Sequence, residues 1–282
     1  MRAYDLLEPA MPAGSVIFAS PHSGRHYPRE FVSESILSAR DLRSSEDAFV
    51  DRLIGTAPTH GAPLLCARWP RAWIDLNRAA SELDPALISG LPRRPHNPRV
   101  ASGLGVVPRV VAGGRAIYRG KITQEAARAR IRDVWQPYHD RLRMLMEGAR
   151  SRFGEAILVD VHSMPHEALE GVAGRRPDVV LGDRYGAAAA PRIIDGIEAI
   201  LSDLGLTCAR NTPFAGAYTT QQYGRPTRGW HVVQVEIDRA LYMDETTVAP
   251  HEGFDVMRAR MDAAVAAIVD LGRSKARPLA AE

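Results

Sequence analysis

Two histidines stand directly behind apolar, strand-like runs: His22 in PHSG follows SVIFAS (Ser15 to Ser20), and His162 in DVHS follows AILVDV (Ala156 to Val161). Open α/β sheets collect ligand-binding side chains at the carboxyl ends of their strands. Two imidazoles delivered there by separate buried strands form a candidate metal pair, because neutral imidazole suits zinc. A carboxylate would complete a His₂-carboxylate set and leave one coordination position open for water. Asp47 and the adjacent Glu46, at the start of a helical pattern, are the candidates for that third ligand. An ion so held acidifies water and polarises a carbonyl, which is the chemistry of a hydrolase.

Other residues could serve the same site. Glu236 lies among Val232, Val233, Val235 and Ile237, and a carboxylate in such surroundings must find a partner or carry a raised pKa. It reads either as a general base or as half of a buried ion pair. Arg68, Arg71 and Arg78 crowd one short region, and the planar arginine fork binds carboxylates bidentately. Arg71 reads as an ordinary surface residue, whereas Arg78 shares the DLNR strand end with Asn77. The run NTPFAGAYTTQQYG reads as a loop able to bring Tyr218 or Thr220 to a substrate.

Each of these has a plainer reading. An isolated histidine is more often a hydrogen-bonded core or surface residue, and only the shared strand-end placement of His22 and His162 favours metal. His26 makes an i, i+4 pair with His22, but Gly24 and Pro28 argue against a helix, so His26 is a loop residue. Ser23 and Ser163 sit beside histidines without implying triad geometry. There is no GxSxG elbow, P-loop or GxGxxG after a strand.

The elements that would position these residues alternate between short Val/Ile-rich runs and longer helical patterns, the mark of a mostly parallel sheet covered on both faces. Strands are expected at Ser15 to Ser20, Leu64 to Arg68, Ala72 to Leu76, Ala156 to Val161 and Val232 to Ile237, with shorter ones at Val179 to Leu181 and Leu206 to Ala209. Helices are expected over Ser44 to Thr56, Gln124 to Phe153, Pro191 to Leu204 and Phe254 to Leu271. The segment from Ala79 to Arg119 strings together Pro85, Pro92, Pro95, Pro98 and Pro108 and reads as an irregular cover over the site. The tail after Gly272 reads as frayed.

At 282 residues with 45% hydrophobic content, the chain fits a single domain spanning 1–282. The net charge of +3 balances 36 basic against 33 acidic residues. Prolines break the arginine cluster from Arg93 and Arg94 to Arg99, and no basic block tracks a phosphate backbone, so nucleic acid is not expected as a partner. The N-terminus offers neither a signal peptide nor a membrane span. Cys66 and Cys208 sit singly in apolar runs and read as buried thiols of a reducing, cytoplasmic compartment.

The same residues carry a family likeness through PHSG, SSEDAFVDRL (Ser44 to Leu53), ARWPRAWIDLNR (Ala67 to Arg78), VWQPYHDRL (Val134 to Leu142), DVHS, FAGAYTTQQYGRP (Phe214 to Pro226) and HVVQVEIDRALYMDE (His231 to Glu245). In that order and spacing the chain resembles the N-formylglutamate amidohydrolases, which release formate and glutamate in one route of histidine degradation. That family is similar in turn to zinc carboxypeptidases and aspartoacylase-type deacylases. The resemblance implies a three-layer αβα sandwich with a mixed, mostly parallel sheet, one zinc ion and a small anionic N-acyl amino acid as substrate. It sets His22, Asp47 and His162 at metal-ligand positions, Asn77 and Arg78 at the pair holding a substrate carboxylate, and Glu236 at the general base. Arg68 falls near a position from which an arginine polarises the carbonyl oxygen. The sequence departs from the pattern in having Gly216 and Ala217 where two glycines are common, and in lacking the carboxypeptidase HxxE pair. N-formyl-L-glutamate is the first substrate expected; another N-acyl amino acid, or ligand binding without turnover, are the alternatives.

Overall fold

Runs in which both faces of a strand are apolar can only be satisfied between two helical layers, and the structure, a computed structural model describing residues 2–92, 97–171 and 174–273, builds that arrangement. The strands are β1 (Tyr4–Leu7), β2 (Val16–Ser20), β3 (Leu64–Ala67), β4 (Ala156–Met164), β5 (Val179–Gly182), β6 (Cys208–Arg210) and β7 (Trp230–Asp238). They form one 7-stranded sheet in the order β1-β3-β2-β4-β7-β5-β6. The strands β3, β2, β4 and β7 run parallel, β1 and β5 lie antiparallel to their inner neighbours, and β6 follows β5.

The period-two alternation sorts side chains to two cores. Val16, Phe18, Ile157, Val159, Val233 and Val235 pack with the Pro191–Asp203 and Phe254–Leu271 helices. Ile17, Ala19, Leu158 and Val232 face the other way, onto Val134, Tyr138, Leu142 and Met146 of the helical run from Gln124 to Phe153. This is the expected three-layer αβα sandwich with a mixed, mostly parallel sheet.

Four local expectations need correction. Ala72 to Leu76 is not a strand: the N–H groups of Trp73 and Ile74 turn back to the Pro70 carbonyl (2.9 and 3.2 Å), while Asp75 N–H bonds to Val106 O (2.8 Å). Its apolar residues are core residues on a turn, and a continuous apolar run does not by itself distinguish the two. The helix expected over Ser44 to Thr56 is broken into a 3₁₀ turn at Arg43–Ser45 and a short helix at Val50–Leu53. Between them Phe49 is left-handed (φ 67°), and Asp47 N–H bonds to the His22 carbonyl (3.0 Å) instead of continuing a helix. The run from Gln124 to Phe153 contains a π turn at Ile131–Trp135, directly ahead of Pro137, whose ring cannot donate an N–H to a regular ladder. Finally, β4 runs on past its expected exit to Met164, so His162 lies within the strand, as Glu236 does in β7. Edge strand β1, at 4 residues, is too short for periodicity to reveal. The expected frayed tail beyond Arg273, and Arg93 and Arg94, lie outside the described residues.

The Gln136–Phe153 helix fixes the segment leading to Asn77 and Arg78. His139 Nε2 donates to Leu76 O (2.9 Å), and its Nδ1 faces Tyr223 Oη (3.0 Å). Trp135 Nε1 donates to Arg78 O (2.9 Å). Burial pushes the His139 pKa down to about 4. Unfolded histidine takes a proton below about pH 6.5, the native ring only near pH 4, so acid favours unfolding between those values. The contribution is present above pH 6.5 and lost as pH falls, by up to about 3 kcal/mol. Urea unfolding from pH 7 to 4.5 should therefore show a shallower pH slope for His139→Gln than for the unsubstituted protein; equal slopes would contradict this coupling.

Candidate metal centre

The site begins with two histidine–carboxylate couples. His22, just beyond β2, places Nε2 2.8 Å from Asp75 Oδ1, and His162 on β4 places Nε2 3.1 Å from Asp160 Oδ2. A carboxylate only accepts, so each Nε2 carries the ring proton and each Nδ1 presents a lone pair. Those lone pairs meet: Nδ1 of His162 is 3.1 Å from Nδ1 of His22 and 3.0 Å from Asp47 Oδ2, and His22 Nδ1 is 3.4 Å from that same oxygen. His22, Asp47 and His162 are all buried.

Three acceptors within these distances repel one another unless a proton or a cation lies among them. Ligands held about 2.0–2.1 Å from a tetrahedral ion lie about 3.3 Å apart, close to the spacing here. The donor set therefore fits a divalent metal ion. Asp47 is the carboxylate of this group. Glu46 turns away, forming a two-point pair with Arg43 (2.9 and 3.1 Å) and accepting from Tyr27 Oη (3.1 Å). His26 stacks edge-on against Trp69, outside the cluster.

Surrounding groups hold the ligands in place. Arg239 Nη2 binds Asp47 Oδ1 (3.0 Å), leaving Oδ2 toward the imidazoles, while its Nε bonds to Ser163 Oγ (3.1 Å). Arg71 Nε binds Asp75 Oδ2 (2.9 Å). Burial opposes ionisation of Asp75, but the Arg71 guanidinium and the His22 ring that donates to it hold its carboxyl well below the usual range. Gly24 has a steric reason: a Cβ there would stand 2.1 Å from the Trp69 carbonyl oxygen, as the chain after His22 passes against β3's exit.

On the face where β4 and β7 run side by side, Asp160 pairs with Gln234 and His162 with Glu236. The same face is apolar one step earlier, at Leu158 and Val232. Gln234 links the site together, donating through Nε2 to Glu236 Oε1 (2.8 Å) and accepting at Oε1 from Asn77 Nδ2 (3.3 Å) and Ala217 N–H (3.1 Å). Burial pushes the Glu236 carboxyl up to about 7, against the opposing pull of His162 and with the help of Asp47.

His22, His162, Glu236, Asn77 and Arg78 line one cavity of about 730 Å³, together with Arg71, Arg99 and Arg239. The Pro-rich segment supplies one wall through Leu104, Pro108, Val110 and the Gly113–Gly114 turn. Arg78 is buried and donates to the carbonyls of Leu104 (3.0 Å) and Asn77 (3.1 Å).

Two expected members are elsewhere. Arg68 leaves β3 on the sheet's outer edge, pairs with Asp5 of β1 (3.0 Å) and does not line the cavity; Arg71, first read as a surface residue, does. Tyr218 packs against Trp135 and His139 rather than lining the cavity, and its neighbour Thr219 contributes a backbone N–H to Asn77 Oδ1 (2.8 Å). Asp75, Asp160 and Gln234 were not anticipated. The signal for two of them was the alternation Asp160-x-His162 and Gln234-x-Glu236 inside otherwise apolar strands, which places each pair on one face.

Comparison with known proteins identifies the family. The family model described as N-formylglutamate amidohydrolase matches residues 14–243. An N-formylglutamate deformylase of Pseudomonas aeruginosa is 30% identical over 233 residues, covering 82% of each chain, and one of Pseudomonas putida is 27% identical with the same coverage. The crystal structure of an N-formylglutamate amidohydrolase from Ralstonia eutropha JMP134 superposes with a TM-score of 0.90 at 34% identity, covering 96% of this chain and 98% of that one. The protein belongs to the N-formylglutamate amidohydrolase family.

Proposed function

We propose that the protein hydrolyses the amide of N-formyl-L-glutamate to formate and L-glutamate, with one Zn²⁺ held by His22, Asp47 and His162. The observation that carries this reading is the convergence of three buried donor atoms within 3.4 Å, in a cavity that also holds Glu236 and Arg78. When bound, the ion supplies Lewis acidity to the scissile carbonyl and to the attacking water.

The chain's own residues do the rest. Glu236, poised by burial near neutrality, takes a proton from the attacking water as its oxygen bonds to the formyl carbon, and returns it to the departing nitrogen as the C–N bond breaks. Arg71, anchored through Nε to Asp75, keeps its terminal N–H groups for the carbonyl oxygen as negative charge develops there. This gives Arg71 the role first expected of Arg68. Asn77 and Arg78, pinned from behind by Thr219, Leu104 and Trp135, hold the α-carboxylate. The free thiols of Cys66 and Cys208 support a reducing, cytoplasmic setting; among the described residues no helix is long and apolar enough to cross a membrane.

Turnover of N-formyl, N-acetyl and N-succinyl amino acids, with and without chelator, tests the function directly. Chelator-sensitive release of formate from N-formylglutamate is expected, and failure to turn it over while another acyl amino acid is cleaved would displace it as substrate. Glu236→Gln should retain metal yet lower kcat by about 10²–10⁴, as loss of a general base does; near-normal turnover would remove the residue from the chemistry. Arg71→Ala should lower kcat/KM by about 10²–10³, in the range of a lost oxyanion donor, whereas Arg68→Ala should change it little. A larger loss in Arg68→Ala than in Arg71→Ala would reverse that assignment. Asp75→Asn should weaken zinc binding about 10–100-fold in a competition titration with a fluorescent chelator, because the carboxylate orients His22; unchanged affinity would mean that Asp75 serves only Arg71.

A further inference from the structure

The cavity is lined by Arg71, Arg78, Arg99 and Arg239. Two of these are neutralised where they stand, Arg71 by Asp75 (2.9 Å) and Arg239 by Asp47 (3.0 Å). Among the described residues no carboxylate pairs with the other two. Arg78 is occupied only by the carbonyls of Leu104 and Asn77, and Arg99 stands exposed at the cavity mouth. The cavity thus holds two unneutralised guanidinium groups on one wall. Their charges act on each other: burial lowers the pKa of Arg78, and, against the pull of Asp75, Arg71 and Arg99 lower it further.

Arg99 is exposed, but its backbone is held. Asn97 Oδ1 accepts from the N–H groups of Arg99 (3.0 Å) and Val100 (3.4 Å). Arg109 Nη2 binds the Ala101 carbonyl (3.2 Å), and its Nε is paired with the buried Asp84 (2.9 Å). The Leu104 carbonyl, a few residues on, receives Arg78 Nε. One short stretch of the Pro-rich segment therefore both fixes Arg78 and carries Arg99.

We infer that Arg99 is a specificity-determining residue that receives the side-chain carboxylate of the substrate, while Arg78 holds the α-carboxylate. This rests on the deformylase reading above. The buried, rigid Arg78 suits the group common to every N-acyl amino acid. The solvated Arg99 suits the group that varies, because an uncharged side chain leaves it hydrated at little loss while an anionic one gains a charge-assisted pair. Selection for glutamate then comes from the Pro-rich segment and not from the metal centre.

The test compares N-formylglutamate with its neutral isostere N-formylglutamine, using the zinc-loaded protein and its Arg99→Gln and Arg99→Lys variants. Arg99→Gln should lower kcat/KM for N-formylglutamate roughly 10–100-fold, mainly through KM, with a much smaller fall for N-formylglutamine, so that the preference collapses. Arg99→Lys should restore part of it. An unchanged glutamate-to-glutamine ratio in Arg99→Gln would overturn the proposal. Calorimetric titration with L-glutamate and L-glutamine separates this from the deformylase reading. Weaker glutamate binding in Arg99→Gln with unaltered glutamine binding supports Arg99 even if no formyl substrate is cleaved. Equal effects on both amino acids count against it.

Discussion

Three lone pairs aimed at one point constrain everything else in this molecule. The Nδ1 atoms of His22 and His162 and an oxygen of Asp47 come together on the side away from Asp75 and Asp160, which accept from the far ring nitrogens. Three such acceptors on buried side chains are unfavourable together unless a proton or a cation lies among them. The aspartates behind the histidines therefore do two jobs: they choose the tautomer and they aim the ring. Arg71 in turn holds Asp75 in place, and Arg239 does the same for Asp47.

The sheet makes this possible because its central strands carry two patterns at once. On one face Val159, Val161, Val233 and Val235 continue the apolar core to the ends of β4 and β7. On the other, the side chains change from Leu158 and Val232 to Asp160, His162, Gln234 and Glu236. The site is thus a polar patch set into the sheet itself, roofed by loops that supply Asn77, Arg78 and the Pro-rich wall. Gln234 ties roof to floor, and the long helix, through Trp135 and His139, fixes the roof from the side. The Pro-rich wall is tied to the reaction centre, since the Val106 carbonyl accepts from Asp75 N–H and the Leu104 carbonyl from Arg78.

Much of this was legible in the residues, for a physical reason: a buried strand followed by His-Ser is an uncommon pattern, and His22 and His162 each showed it. What periodicity could not reveal was decided by single tertiary contacts. Glu46 is separated from Asp47 by Arg43, which pairs with it from three residues earlier across the 3₁₀ turn, whereas Asp47 is drawn to the site by the His22 carbonyl far away in sequence. Arg68 and Arg71 are three residues apart between two runs that both read as strands, and the turn at Pro70 leaves one beside edge strand β1 and the other in the cavity. The loop around Tyr218 acts through the backbone N–H groups of Ala217 and Thr219, which residue type does not encode.

X-ray absorption spectroscopy at the zinc edge of the purified protein tests the central claim most directly. The account predicts one ion per chain, with two imidazole nitrogens and oxygen ligands at about 2.0–2.2 Å, and loss of an imidazole signal in His162→Ala. A protein that binds no zinc, or binds it through sulfur, would contradict it.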